Sequence, residues 1–261
     1  MKVSPIAVAL GAALVLTGCS ASDSLDDLSA VTHVHNVVIH DGQVLAGTHE
    51  GLYAQQEDGR WLLLGEKFDV MGLTAVDGQL LVSGHPSPNF PFPDPLGLLE
   101  SDNSGETWSS RGLTGEVDFH LLDASANTIV GAAANLGALI RSEDRGTSWE
   151  PLTVNALTDF ALNPANPEEI VVASPEGLQW SRDGGATFDW VYPETRVEKL
   201  DWSEGGLMGA TATGVWMWDS AGAEWLELQD GFQQVYDIAG SENQVAVLDG
   251  FQVSMIELPL N

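Results

Sequence analysis

Short apolar runs alternate with polar, glycine-rich breaks along almost the whole chain, and beyond the N-terminal segment no stretch combines a helical period with caps. Runs such as Gln43-Val-Leu-Ala-Gly47, Gln79-Leu-Leu-Val-Ser83, Thr128-Ile-Val-Gly131, Glu169-Ile-Val-Val-Ala173 and Gln244-Val-Ala-Val-Leu248 are apolar or β-branched and end at Gly, Asp or Asn turns, so they predict strands. Further strands are predicted ahead of them, over 34–39, 70–75, 119–122, 160–162, 197–202 and 235–239. Beyond them a glycine opens another apolar run at Gly51, Gly97, Gly137, Gly177, Gly214 and Gly250, a landmark that recurs every 36 to 46 residues. Six repeats of hairpin-built units near 40 residues predict an all-β chain, a six-bladed β-propeller of four-stranded antiparallel blades. The last unit stops shortly after Gly250, which leaves its outer strand to be supplied from elsewhere; residues 28–32 are the expected source.

Three octapeptides fall in register with these units: Ser101-Asp-Asn-Ser-Gly-Glu-Thr-Trp108, Ser142-Glu-Asp-Arg-Gly-Thr-Ser-Trp149 and Ser181-Arg-Asp-Gly-Gly-Ala-Thr-Phe188. Ser and Asp side chains accept backbone N–H bonds in a turn, glycine takes a positive φ, and the aromatic packs back over the loop. This places Ser101, Asn103, Gly105 and Trp108 in equivalent roles to Ser142, Asp144, Gly146 and Trp149, and to Ser181, Asp183, Gly185 and Phe188. The pattern resembles the Asp-box (BNR) repeat, with Asn103 in the aspartate place of the first copy and Phe188 in the tryptophan place of the third. The resemblance implies structural turns at the blade periphery, away from any catalytic centre. Decayed copies are traceable at Glu57-Asp-Gly-Arg-Trp61 and Trp218–Trp225.

Lys2, an apolar run from Ile6 to Leu16 too short to span a bilayer, and then Leu16-Thr-Gly-Cys19 form a targeting segment. The tetrapeptide resembles a bacterial lipobox, which implies removal of residues 1–18 and lipid attachment to Cys19. Residues 19–31 are then expected to form an acidic tether and 32–261 a single propeller domain. The expected location is the outer face of a bacterial membrane, or a periplasmic or outer-membrane position in a two-membrane cell. Cys19 is the sole cysteine, so core packing alone must hold the exported domain together. With 38 acidic against 9 basic residues, a formal charge of −29 disfavours nucleic acid and anionic lipid surfaces as partners. Membrane contact is expected through the lipid, with a glycan, a small ligand or a protein as partner of a monomeric propeller.

All six histidines fall between His33 and His120. On the predicted register His33, His35, His49, His85 and His120 meet at one mouth of the central channel, and His40 lies at the other end. The same register aligns His33 with Asp69 and Asp118, and His35 with Met71 and His120. Imidazoles and carboxylates on a rigid rim suit Zn²⁺ or Cu²⁺, and Met71 is compatible with copper. The proline-rich insertion His85–Pro95 projects on the same side, with Phe90 and Phe92 as a candidate ligand wall.

Two classes of function follow. Thr32-His-Val-His35, Gly47-Thr-His49-Glu-Gly51-Leu, Ser83-Gly-His85-Pro and Asp118-Phe-His120, together with the boxes, resemble bacterial Asp-box lipoproteins catalogued as glycosylhydrolases, which implies a glycosidase-like enzyme. Asp69 and Asp118 are its candidate acids. A sialidase is disfavoured: its three clamping arginines and Tyr–Glu pair have no counterpart among Arg60, Arg111, Arg141, Arg145, Arg182, Arg196 and the three tyrosines. The preferred reading is a tethered binding or assembly module whose histidine-rich mouth holds a metal or small ligand.

Overall fold

In the computed structural model, which describes residues 24–154 and 156–259, six antiparallel sheets surround a central channel. The innermost strands are Val34–His40, Asp69–Val76, Phe119–Ser125, Asp159–Leu162, Lys199–Ser203 and Val235–Gly240. Each packs beside the next, and the sixth returns to the first. Blades 2 to 5 have four strands each in simple up-and-down order. The chain is a six-bladed β-propeller. In blade 4 the second and third strands are buried on both faces because neighbouring sheets stack on them; every residue of Ile170–Ser174 and Gly177–Ser181 is buried. That explains their unbroken apolar runs, where a half-exposed sheet would alternate.

The two ends of the chain depart from expectation. Residues 28–32 form no strand: Leu28–Ala30 is a 3₁₀ turn capped by Asp27, and Leu28 is fully buried. Ser24–Leu25 instead pairs with Trp61–Leu62 as a fifth strand on the outer edge of blade 1. Among the described residues blade 6 has three strands, Val235–Gly240, Gln244–Asp249 and Gln252–Glu257. Within the expected tether over 19–31, the described residues 24–31 thus pack against blade 1. The expected signal segment and Cys19 lie outside the described residues.

Closure comes from packing and from inner-strand aspartates. Val31, Val34, Val37 and Val44 form one apolar cluster with Ala239, Ala246 and Leu248. Asp123 accepts the Leu162 N–H (2.7 Å), Asp159 that of Leu200 (3.1 Å), and Asp201 that of Gly240 (2.9 Å). Asp237 accepts that of Val37 (2.8 Å), which joins the last blade to the first. In each case one blade's carboxylate holds the next blade's backbone donor.

The three octapeptide turns share one geometry. Gly105, Gly146 and Gly185 all have φ near 88° and donate N–H to the Oγ of Ser101, Ser142 and Ser181 at 2.9, 2.8 and 2.7 Å. Each serine donates in turn to Asn103, Asp144 or Asp183 at 2.9 Å. Asn103 thus does the work of aspartate through its amide oxygen, which also accepts the Thr107 N–H. These turns link third and fourth strands, so they brace the rim and leave the channel alone.

Candidate functional site

Four inner strands carry a bulge at one level. His35 is skipped between the Val34–Thr48 and Asn36–Gly47 pairs, Met71 between Val70–Gly84 and Gly72–Ser83. His120 is skipped between Phe119–Ala133 and Leu121–Ala132, and Tyr236 between Val235–Asp249 and Asp237–Leu248. A bulge bends its strand and re-aims the extra side chain, which frees His35 and His120 from the ladder. Gly84 supports the arrangement: at φ 146° it passes so close to the Asp69 carbonyl that a Cβ would collide with it.

Asp69 lies between two imidazoles. His35 Nε2 is 2.9 Å from its Oδ1 and His49 Nδ1 is 2.8 Å from its Oδ2; the two ring nitrogens are 3.3 Å apart. Burial pushes the Asp69 pKa up, but the hydrogen bonds and charges of His35 and His49 outweigh it and hold the carboxyl below its ordinary range. His33 stands beside this group with its ring 4.7 Å from His35 and 5.6 Å from His49, and supplies no atom to it. Burial, then the neighbouring imidazoles, hold the His33 pKa low.

Asp118 organises a second group. His120 Nε2 is 3.1 Å from its Oδ2, and His85 Nε2 is 3.7 Å from its Oδ1. Asp118 Oδ1 is buried without a hydrogen-bond partner. The other ring nitrogen of His85, Nδ1, lies 2.7 Å from Asp94 Oδ1. Burial lowers the His85 pKa, but the Asp94 hydrogen bond and the fields of Asp118, Asp94 and Asp69 raise it above the usual value. Asp69 and His85 face each other across the blade 2 ladder, so the two groups are neighbours. Within each, the three potential ligand atoms lie within 4.8 Å of one another. Bonds to zinc near 2 Å require separations of about 3.3 Å, a small side-chain adjustment.

Phe90 and Phe92 do not wall the mouth. Phe90 stacks on Phe68 at 4.5 Å within the core shared by blades 1 and 2, and Phe92 packs on it at 5.4 Å. The insertion contributes through Asp94, which the sequence reading passed over; its signal was an acid on the return of a loop that starts at a histidine. His40 is buried at the far end of its strand, as expected.

Also missed were the channel acids. Asp123, Asp159, Asp201 and Asp237 line a cavity of about 70 Å³ with Lys199. Burial raises Asp123 and Asp237 to about 7 and Asp201 to about 8, against the pull of their backbone donors. Isolated aspartates inside apolar inner strands, as in Leu122-Asp-Ala, were the available signal.

No family model matches the chain, and no curated protein is similar to it in sequence. Solved structures are similar in fold. A gluconolactonase from Xanthomonas campestris superposes with a TM-score of 0.68 over 88% of this chain and 87% of its own, at 14% identity. YCF48 bound to a D1 peptide gives 0.52 over 86% and 77%, at 17% identity. An ancestral GH74 enzyme gives 0.52 over 83% of this chain and 34% of its own, at 15% identity. Its structural neighbours include gluconolactonase-like hydrolases. At these identities the likeness is one of fold, and the site must speak for itself.

Proposed function

We propose that the channel mouth binds divalent transition metal, with the primary site at His85, Asp118 and His120 and a second at His35, His49 and Asp69. The orphaned Asp118 Oδ1 carries this reading. A buried carboxylate oxygen without a donor is costly, and a cation shared with His85 and His120 supplies the missing partner. Imidazole with carboxylate suits Zn²⁺ or Cu²⁺, and three protein ligands leave a coordination position for a further group. A glycosidase pair needs one carboxyl that holds its proton near neutral pH. The other must be ionised with an oxygen free for water or sugar, and both Asp69 oxygens are taken up by imidazoles, which favours binding over sugar hydrolysis. A lipid at Cys19 would hold this metal-binding propeller at a membrane surface, where it serves as a capture or assembly module.

Equilibrium dialysis of tag-free protein against micromolar Zn²⁺, read by mass spectrometry, is expected to give two equivalents. Asp118→Ala retains one and a His35→Ala/His120→Ala double variant retains none; wild-type protein without bound zinc would overturn the reading. Asp94→Asn tests the outer layer of the site. A carboxylate on the far nitrogen of a metal-binding histidine fixes the ring and raises its basicity. The variant should weaken one of the two sites by about 10–100-fold and leave the other unchanged.

A further inference from the structure

Beside His120 the junction of blades 3 and 4 opens into a groove of about 660 Å³. Leu121, Ala132, Leu139, Leu152, Val154 and Leu157 line it, and only His120 and Thr158 among its described lining residues carry a polar side chain. Its apolar floor is the outer margin of the core packed between these blades, around Phe160, Ile170 and Val172. The groove is therefore built on strands, with Val154 and residues 156–158 as one wall. The size is that of a small-ligand site, and its one imidazole belongs to the Asp118 group.

We propose that this groove seats the apolar tail of a monocarboxylate whose head occupies the open position of a metal at His85, Asp118 and His120. The inference rests on the metal reading above. Two neutral imidazoles and one carboxylate leave a divalent ion with a single positive charge, which a monoanionic oxygen donor neutralises. Elsewhere the acidic surface of a chain with net charge −29 repels an anion, so recognition is confined to the metal. Behind the head, His120 borders the metal position and the groove alike, which leads the tail over Leu121 and toward Leu157.

The test uses full-length protein loaded with Co²⁺, whose visible bands report the open position, titrated with acetate, butanoate, hexanoate and octanoate. Each buried methylene tightens binding about fourfold, so hexanoate is expected to bind on the order of a hundredfold more tightly than acetate. Ala138→Trp fills the groove and Leu157→Asp places a charge in it from the loop wall. Both should abolish the chain-length preference while cobalt uptake and acetate affinity stay as in wild type; the loop variant keeps the test open if the strand variant misfolds. Equal affinity for acetate and octanoate with cobalt bound would overturn the tail groove alone. Failure to take up cobalt would overturn the metal reading and the groove proposal together.

Discussion

Lowering the pH from about 8.5 to about 5 is expected to raise the melting temperature of the metal-free protein, against the usual direction of acid destabilisation. Asp123 and Asp237 titrate at about 7 in the folded chain and Asp201 at about 8, chiefly because burial disfavours their charge. Their folded values stand above the unfolded one, so their stabilising contribution is complete below the unfolded value of 3.8 and is lost as pH rises through 7 and 8. His85, also raised, acts in the same sense. Self-repulsion among 38 acidic residues weakens too as protons bind. The carboxyls held low, Asp69, Asp144 and Asp183, impose the opposite limit, since their contribution is lost as pH falls below the ordinary aspartate range. Stability should therefore peak at mildly acidic pH. Asp159 is raised by burial as well, the four channel carboxyls repel one another and Lys199 offsets one charge, so a net loss on the order of 3 kcal/mol by pH 8.5 is expected. For a domain of this size that is roughly 6–12 °C. Calorimetry in chelator-containing buffer measures it, and Asp201→Asn should flatten the slope. A melting temperature that climbs toward alkaline pH would refute this account of the channel.

Asp237→Ala is expected to cost about 2–3 kcal/mol, because it strands the Val37 N–H at the one junction where the ends of the ring meet. Asp237→Asn keeps an acceptor oxygen for that donor and removes an ionisable group. It should sit within about 1 kcal/mol of wild type at pH 5 and above it at pH 8.5. Urea denaturation at the two pH values separates these outcomes. Equal losses for alanine and asparagine would show that the carboxylate's role at this junction is something other than accepting the Val37 donor.

The repeat was legible because hairpin-built blades impose a period that survives sequence drift: the six glycine landmarks and the three turns each sit in their own blade. The register aligned Asp69 and Asp118 with His33, but their contacts are with other histidines: Asp69 with His35 and His49, Asp118 with His85 and His120. Besides the channel acids, three features were not legible. The bulges at His35 and His120 leave no mark in an alternation pattern, since one extra residue reads as a shift in a short strand. Asp94 acts through a loop whose prolines drew attention to the phenylalanines, and those turned inward because Phe68 and Leu96 offered apolar cover. The chain ends were misread because a leucine followed by small residues suits a buried 3₁₀ turn as well as a strand; Leu28 takes the former.

Among the described residues blade 6 contains no strand from the N-terminus, so each described sheet is assembled from residues near one another in sequence. Each blade can zip up as soon as its own residues are available, with little entropy spent on long loops. The closing seam must wait: the bond between residues two hundred positions apart at Val37 and Asp237, and the apolar packing of blade 1 on blade 6. Both His–Asp groups come from blades 1 to 3, so they can assemble while the disc is still an open arc.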